Sequence, residues 1–392
     1  MAVDWSELPP ELSYTVATKI KALTDYIRFR AVCLSWRTAT PATPRHLPPQ
    51  VPWLMLPPSQ SQPQASRRGF FCLSANKFHF LGEAAASRRR RRCGSSHGWL
   101  VLLDESSHIF LLNPLTRSQV KLPSLSTFPN VTDFNFYNIG REYTIRGVDG
   151  EVYTCSLKEM RDSFIKKVIL SSSPNELNYV AVAILNDTGH VAYCKKGDDR
   201  WMFMEDGLGY WEDVIYHDGL VYAVNKFGGI AVCDVSGTSP RVWYIDPLNK
   251  IGGDMQYLVS CEGELLLVTR YLDLNFDVVL EIEYKTTAFR VCRLDLGGPK
   301  WETLASLDDR VLFVGENSSL ALSGSDCLGC KGNCIYFTDD YSEWNYDGFK
   351  GDLDLGVYNL EDGGIEALPC CPHNAYSGRR WPPPIWVTPN PC

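Results

Sequence analysis

Short apolar runs, each opened by a small or acidic residue, recur through most of the chain. Gly98-Trp-Leu-Val-Leu-Leu103 is followed by Ile109-Phe-Leu-Leu112, and Asp218-Gly-Leu-Val-Tyr-Ala-Val224 by Gly229-Ile-Ala-Val-Cys-Asp234. Glu262-Gly-Glu-Leu-Leu-Leu-Val268, Asp309-Arg-Val-Leu-Phe-Val314 and Gly332-Asn-Cys-Ile-Tyr-Phe337 repeat the pattern. A turn residue followed by β-branched, leucine and aromatic residues predicts a strand. Gly219 to Gly263 is a step of 44 residues, and Gly263 to Asp309 one of 46. A period in the forties with several short strands per period predicts a β-propeller. The chain from residue 69 to 392 would then hold about seven blades, at ~40–50 residues each. Stretches near residues 125–175 and 315–345 break the rhythm. Two β-sandwiches are the competing all-β arrangement, which the regular period disfavours.

Residues 4–40 carry a helical pattern instead. Leu12, Val16, Ile20 and Leu23 fall on one helix face. Pro9 and Pro10 suit a helix start, where a missing N–H costs nothing. Thr24-Asp25 would cap a second helix, with Tyr26, Phe29, Val32, Cys33 and Trp36 as its apolar stripe. Pro41 and Pro44 end the helical module, and residues 41–66 form a Pro, Gln and Ser hinge. Within it, Val51-Pro-Trp-Leu-Met-Leu56 predicts a strand, since its prolines oppose a helix. Neither residues 51–56 nor Ile385-Trp-Val-Thr388 has a partner in its own neighbourhood. A ring of blades leaves an exposed edge unless one terminus lends a strand to the other, so strand 51–56 is expected to close the propeller. The whole reads as mainly β: a propeller preceded by a small all-α module.

Composition narrows the function classes. The 392 residues are 45% hydrophobic and 21% charged, which fits a folded chain, and 12% aromatic, which favours strands. A net charge of −8 argues against general nucleic-acid binding, where phosphates demand excess Lys and Arg. The N-terminus lacks the basic and apolar regions of a secretory signal, and no apolar run approaches ~20 residues. Cytoplasm and nucleus are the expected locations, with no membrane contact and the 14 cysteines mostly reduced.

Few clusters suggest chemistry. Cys327, Cys330 and Cys334, with Cys370, Cys371 and His373, lack a second close ligand pair at zinc spacing. Arg88–Arg92 is a run of five arginines, read as a solvated inter-blade loop, a nuclear-import signal or a contact for an acidic partner. Ser96-His97 and His108 lack a third orienting group for a triad. Asp198-Asp199, Asp308-Asp309 and Asp339-Asp340 read as turn formers. No catalytic residue, cofactor or metal site is read from the sequence.

Two stretches resemble a known family. Trp5-Ser-Glu-Leu-Pro-Pro-Glu-Leu12 with Asp25-Tyr-Ile-Arg-Phe-Arg-Ala-Val-Cys-Leu-Ser-Trp-Arg37 resembles an F-box. Gly94-Ser-Ser-His-Gly-Trp-Leu100, Leu112-Asn-Pro-Leu-Thr-Arg117, Gly332-Asn-Cys-Ile-Tyr-Phe-Thr-Asp-Asp340, Gly356-Val-Tyr-Asn-Leu360 and Pro384-Ile-Trp-Val-Thr-Pro389 resemble plant F-box proteins with a kelch-like C-terminal propeller. The resemblance implies a non-catalytic, substrate-recognition subunit of an SCF-type ubiquitin ligase. The F-box would bind a Skp-type adaptor and through it a cullin, and the propeller would hold a protein target that the sequence does not identify. It also implies an adaptor-facing or supporting surface of Leu8, Pro9, Leu12, Val16, Ile20 and Leu23, with Phe29, Val32, Cys33 and Trp36 packing the F-box or its partner. The helix Ser13-Tyr-Thr-Val-Ala-Thr-Lys19 departs from the Leu-rich, Glu-containing family pattern. Two alternatives stand beside this reading: a propeller enzyme acting on glycans through channel carboxylates, and a propeller that sequesters a partner.

Overall fold

The computed structural model describes residues 4–44, 46–57, 67–82, 90–186, 188–204, 209–247, 252–275, 283–295, 297, 300–327, 329–341, 353–370 and 383–390. Seven sheets form among them. Six are blades around an axis, with strands ordered from the innermost outward. Blade 1 is Ile385–Val387, Trp53–Met55, Arg67–Cys72 and Lys77–Gly82; blade 2 is Arg91–Ser96, Trp99–Leu103, Ile109–Leu112 and Gln119–Leu122. Blade 3 is Ile165–Leu170, Val180–Leu185, Val191–Lys195 and Met202–Phe203; blade 4 is Asp213–His217, Leu220–Val224, Ile230–Asp234 and Arg241–Ile245. Blade 5 is Met255–Cys261, Glu264–Asn275, Glu283–Asp295 and Lys300–Leu304. Blade 6 is Leu320–Ser323, Arg310–Val314, Cys334–Phe337, Gly356–Asn359 and Ile365–Glu366.

The seventh sheet, Val131–Phe134, Tyr143–Arg146 and Val152–Cys155, lies beside the ring. Its Tyr143 and Ile145 enter the core shared by blades 2 and 3. Blades 2 and 3 still meet directly at the axis, where Ser96 Oγ accepts from Leu170 N at 3.2 Å. The sequence predicts about seven blades; the described residues form a propeller of six blades, and the seventh sheet stands outside the ring.

The sequence explains this layout locally. His97-Gly98, Asp218-Gly219 and Glu262-Gly263 all have positive φ at both positions (51° and 83°, 46° and 84°, 51° and 82°). That is the type I′ hairpin turn, whose twist matches the flanking strands. Each joins an inner strand to the second strand of its blade. Six apolar clusters then fill the six seams between blades. In blade 4, Val214 and Val221 pack with Ile169 and Val182 of blade 3, while Ile215 and Tyr222 pack with Leu258 and Leu267 of blade 5. Both faces of a strand are buried, so it reads as a continuous apolar run rather than an alternating one.

The ring is closed by both ends of the chain. Trp53–Met55 pairs antiparallel with Ile385–Val387 on one side and with Phe70–Cys72 on the other. Trp386 is fully buried, edge-on to Phe313 of blade 6 at 5.2 Å. The irregular stretch near 315–345 is blade 6, where Arg310–Val314 pairs parallel with Cys334–Phe337 and Leu320–Ser323 supplies the inner edge.

At the N-terminus lie α1 (Pro10–Ala17), α2 (Leu23–Arg30) and α3 (Leu34–Ala39). The expected continuous stripe through Leu12, Val16, Ile20 and Leu23 is divided. The first helix stops at Ala17, where the Thr18 hydroxyl bonds back to the Thr15 carbonyl at 2.8 Å. Leu23 opens the second helix instead, and Ala22 rather than Thr24-Asp25 occupies its N-cap. Gln50 links this module to the chain leading into blade 1, accepting from Leu23 N at 2.8 Å and donating to the Lys21 carbonyl at 3.0 Å.

Candidate functional site

The helical module is built on few buried residues: Ser13 and Ala17 from α1, Leu23 and Tyr26 from α2. Several of its larger apolar side chains nevertheless point outward. Leu12 is 52% exposed, Val16 48%, Val32 61% and Leu34 75%. Trp5, Tyr14 and Ile27 are also exposed. A module this small cannot cover such surface itself, and this density of exposed large hydrophobics makes the face a candidate interaction surface.

The sequence-derived residues fall into three groups. Pro9, Leu12, Val16 and Val32 are exposed; Leu8 and Ile20 are half-buried; Leu23 is buried inside the module. Phe29 and Trp36 stack on each other at 4.3 Å, and Trp36 Nε1 donates to the Trp5 carbonyl at 2.9 Å, so they hold the module together. The Cys33 sulfur caps α3 by accepting from Trp36 N at 3.5 Å. Tyr14, Ile27 and Leu34 escape the sequence pattern because they lie off the expected single stripe.

The second candidate is the mouth of the propeller axis. The starts of the inner strands converge there, bringing together Arg91, Lys166, Lys167, Glu212, Tyr257, Glu316 and Asp340 around a cavity. Lys167 Nζ pairs with Asp213 Oδ1 at 2.6 Å and donates to the Gly315 carbonyl at 3.2 Å. Asp213 Oδ2 accepts from Leu258 N at 3.0 Å. One ion pair therefore ties blades 3, 4, 5 and 6. Lys166 approaches Glu212 at 4.0 Å. Behind the mouth, fully buried Arg270 pairs with Asp340 at 3.0 Å and Asp354 at 2.8 Å, and donates to Tyr257 OH at 3.1 Å. Burial pushes the Asp340 carboxyl above its ordinary range, with Arg270 opposing the shift. Burial likewise raises Tyr257 well above a normal phenol.

This geometry corrects two expectations. Arg91 and Arg92 are not in a solvated loop: both are buried in the inner strand of blade 2. Arg91 Nη1 donates to the Ile165 carbonyl at 2.6 Å, and Arg92 Nη2 donates to the Pro383 carbonyl. Carbonyls at the starts of the neighbouring inner strands supply the acceptors that let a guanidinium be buried. Arg90 lies over the Phe110 ring at 4.4 Å, while Arg88 and Arg89 lie outside the described residues. Asp339-Asp340 is not a turn either, since Asp339 accepts from Tyr284 OH at 2.5 Å and Asp340 faces Arg270.

The remaining clusters are structural. Ser96 bonds to Leu170, and His108 to Ser106, so no triad assembles from them. Asp309 is bonded to Ser323 and Ser325, and Asp198 to Lys195 N, as turn residues. Cys327 and Cys330 are joined by a disulfide, Cys334 is buried in its strand, and Cys371 and His373 lie outside the described residues. Among the described residues no group of three or more His, Cys, Asp or Glu is arranged to hold a metal, and no helix is long and apolar enough to cross a membrane.

Comparison with known proteins adds the family. Residues 70–359 match the family model of the KIB1-4 beta-propeller. The F-box protein SKIP23 of Arabidopsis thaliana is 27% identical over 415 residues, covering 98% of this chain and 96% of its own. The Arabidopsis thaliana F-box protein At2g17036 is 25% identical over 413 residues, covering 98% and 95%. Among solved structures, YjhT covers 83% of this chain and 99% of its own at 8% identity, with a TM-score of 0.32, a likeness too slight to carry a reading.

Proposed function

The chain belongs to the KIB1-4 beta-propeller family, and on that premise we propose that it is the substrate-recognition subunit of an SCF-type ubiquitin ligase, acting in cytoplasm or nucleus. Its relatives along the full length are F-box proteins. The observation that carries the reading is the exposed apolar face of the N-terminal helices, with Leu12, Val16, Val32 and Leu34 uncovered on so small a module. That face docks on a Skp-type adaptor by placing helix anchors in an apolar groove. Leu23, Phe29 and Trp36 support the face from within. The adaptor brings a cullin, and the propeller presents a protein target. On this reading the subunit is a non-catalytic receptor, and Glu212, Asp213 and Asp340 at the axis face cations.

Capture of a Skp-type adaptor by the full chain tests this. Leu12→Glu with Val16→Glu changes two exposed side chains and leaves the propeller core untouched. Losing one well-buried anchor costs ~2 kcal/mol, about thirtyfold in affinity, so the double variant should lose adaptor capture while its circular dichroism is unchanged. A wild-type chain that captures no Skp-type adaptor would overturn the reading and favour a propeller that sequesters its partner.

A further inference from the structure

The two ends of the ring carry different surfaces. The helical module sits at the end where the inner strands finish. Leu23 and Thr24 share a cavity there with Gln50, Ser74 and Pro389, just past the inner strand of blade 1. Asn390 Nδ2 donates at 2.7 Å to the carbonyl of His97, in the turn that follows the inner strand of blade 2. The axial mouth opens at the opposite end. Segment 123–164, which joins blade 2 to blade 3, is fixed at that mouth end: Arg161 pairs with Glu105 at 2.5 Å, and its carbonyl accepts from Arg91 Nη1 at 3.3 Å.

This segment holds three large apolar side chains in water. Phe136 is 59% exposed, Tyr137 89% and Ile139 92%. The loop under them is firmly built. Tyr137 N donates to Asn135 Oδ1 at 3.0 Å, Arg141 N to the Asn138 carbonyl at 2.8 Å, and Gly140 N to Glu142 Oε1 at 3.0 Å. Glu142 Oε2 accepts from Leu157 N at 3.1 Å, which ties the loop to the stretch leading to the mouth. A single exposed hydrophobic needs no explanation, but a cluster on an ordered loop has the character of an anchor. Phe227 of blade 4 is also exposed beside the mouth, in the turn whose Lys226 carbonyl accepts from Gln256 of the cavity wall at 3.4 Å. Charge narrows the occupant. The cations lining the mouth, Arg91, Lys166 and Lys167, are matched by Glu212, Glu316 and Asp340. Exposed Asp133 and Arg141 flank the loop with one charge of each sign. Such a surface has no field to draw a nucleic acid or an anionic membrane. The two rings of the loop bury roughly 300–500 Å², short of the ~800 Å² per partner of a stable dimer, so the loop alone does not seat a second copy.

We propose that the mouth end of the ring is the face that receives the target, and that its occupant is an uncharged, extended protein segment with large apolar side chains. The segment is anchored on Phe136, Tyr137 and Ile139 and runs past the mouth to Phe227. The inference rests on the receptor reading above. It puts the target on the end of the ring away from the adaptor-binding helices.

The test selects random linear peptides, displayed on phage, on the full chain and measures the recovered peptides by fluorescence anisotropy. The recovered sequences are uncharged and rich in Leu, Met and Phe. Tyr137→Ser with Ile139→Ser weakens their binding by roughly thirtyfold, the loss of an anchor, at an unchanged melting temperature because both side chains are exposed. Phe227→Ser, on another blade, weakens it as well. Leu12→Glu with Val16→Glu, at the far end, leaves it unchanged. No recovered peptide, a predominance of charged ones, or undiminished binding by the loop variant or by Phe227→Ser overturns the proposal. So does loop-dependent sedimentation with phosphatidylcholine and phosphatidylserine vesicles, which assigns the loop to a membrane, or a loop-dependent dimer in ultracentrifugation. Failure here leaves capture of a Skp-type adaptor untouched. A chain that binds these peptides through the loop but captures no adaptor keeps the docking face and loses only the ligase reading.

Discussion

Lys167 and Asp213 are both almost fully buried and meet at 2.6 Å. Taking two charges out of water is expensive, and their attraction offsets it only because Gly315 O, Leu258 N and Val214 N satisfy the rest. Lys167→Met should therefore cost ~3–5 kcal/mol, the loss seen when one partner of a buried pair is left alone, read as a lower midpoint in urea. Asp213→Asn on top should recover only part of it. A loss under ~1 kcal/mol, as at an exposed pair, would show that the pair is hydrated. Glu316 gives a prediction of opposite sign. Burial holds its carboxyl above the ordinary value, partly opposed by Arg92 and Arg91. The folded state thus binds that proton more tightly than the unfolded one, and stability falls as pH rises from the ordinary carboxylate range through the raised value. Glu316→Gln should be more stable than wild type at neutral pH, with the gap closing as the pH drops below the carboxylate range. A gap that persists in acid speaks against this cause.

Gly98 and Gly219 occupy equivalent turns with φ of +83° and +84°, but their surroundings differ. A Cβ at Gly219 would meet nothing within 4 Å, whereas at Gly98 it would lie 2.4 Å from Asn390 Cβ and 2.6 Å from the Thr388 carbonyl. Gly219→Ala should cost ~1–2 kcal/mol, the price of a left-handed conformation alone. Gly98→Ala should lower the melting temperature further, because it also displaces the segment following Ile385–Val387. Equal losses would mean that this segment is not held against the turn. The comparison isolates packing from backbone strain, since both turns share one geometry.

Across the molecule, what was legible in the sequence is what local chemistry dictates. Asp218-Gly219 and Glu262-Gly263 announce their hairpins because few residues tolerate two successive positive φ values. Doubly buried strands announce themselves as unbroken apolar runs. The axial mouth was hidden because it depends on acceptors brought from other blades. Arg91 and Arg92 read as solvated until the carbonyls of Ile165 and Pro383 are set beside them. The same holds for Asp340, whose partner Arg270 comes from another blade. In the helical module, hydrophobic periodicity found Leu12 and Val16, but not the break at Ala17 that sends Leu23 into the interior.

The pairing of Trp53–Met55 with Ile385–Val387 also sets a timetable on the ribosome. The first strand is made early, and its partner follows more than 300 residues later. At ~5–20 residues per second, the early strand waits roughly twenty seconds to a minute. Throughout that time the nascent ring is an open arc with one unpaired edge, the kind of surface chaperones shield. A messenger with a premature stop anywhere before Ile385 yields an arc that cannot close. Completeness of translation is thereby written into the fold: only a chain read through to its last blade strand becomes a ring.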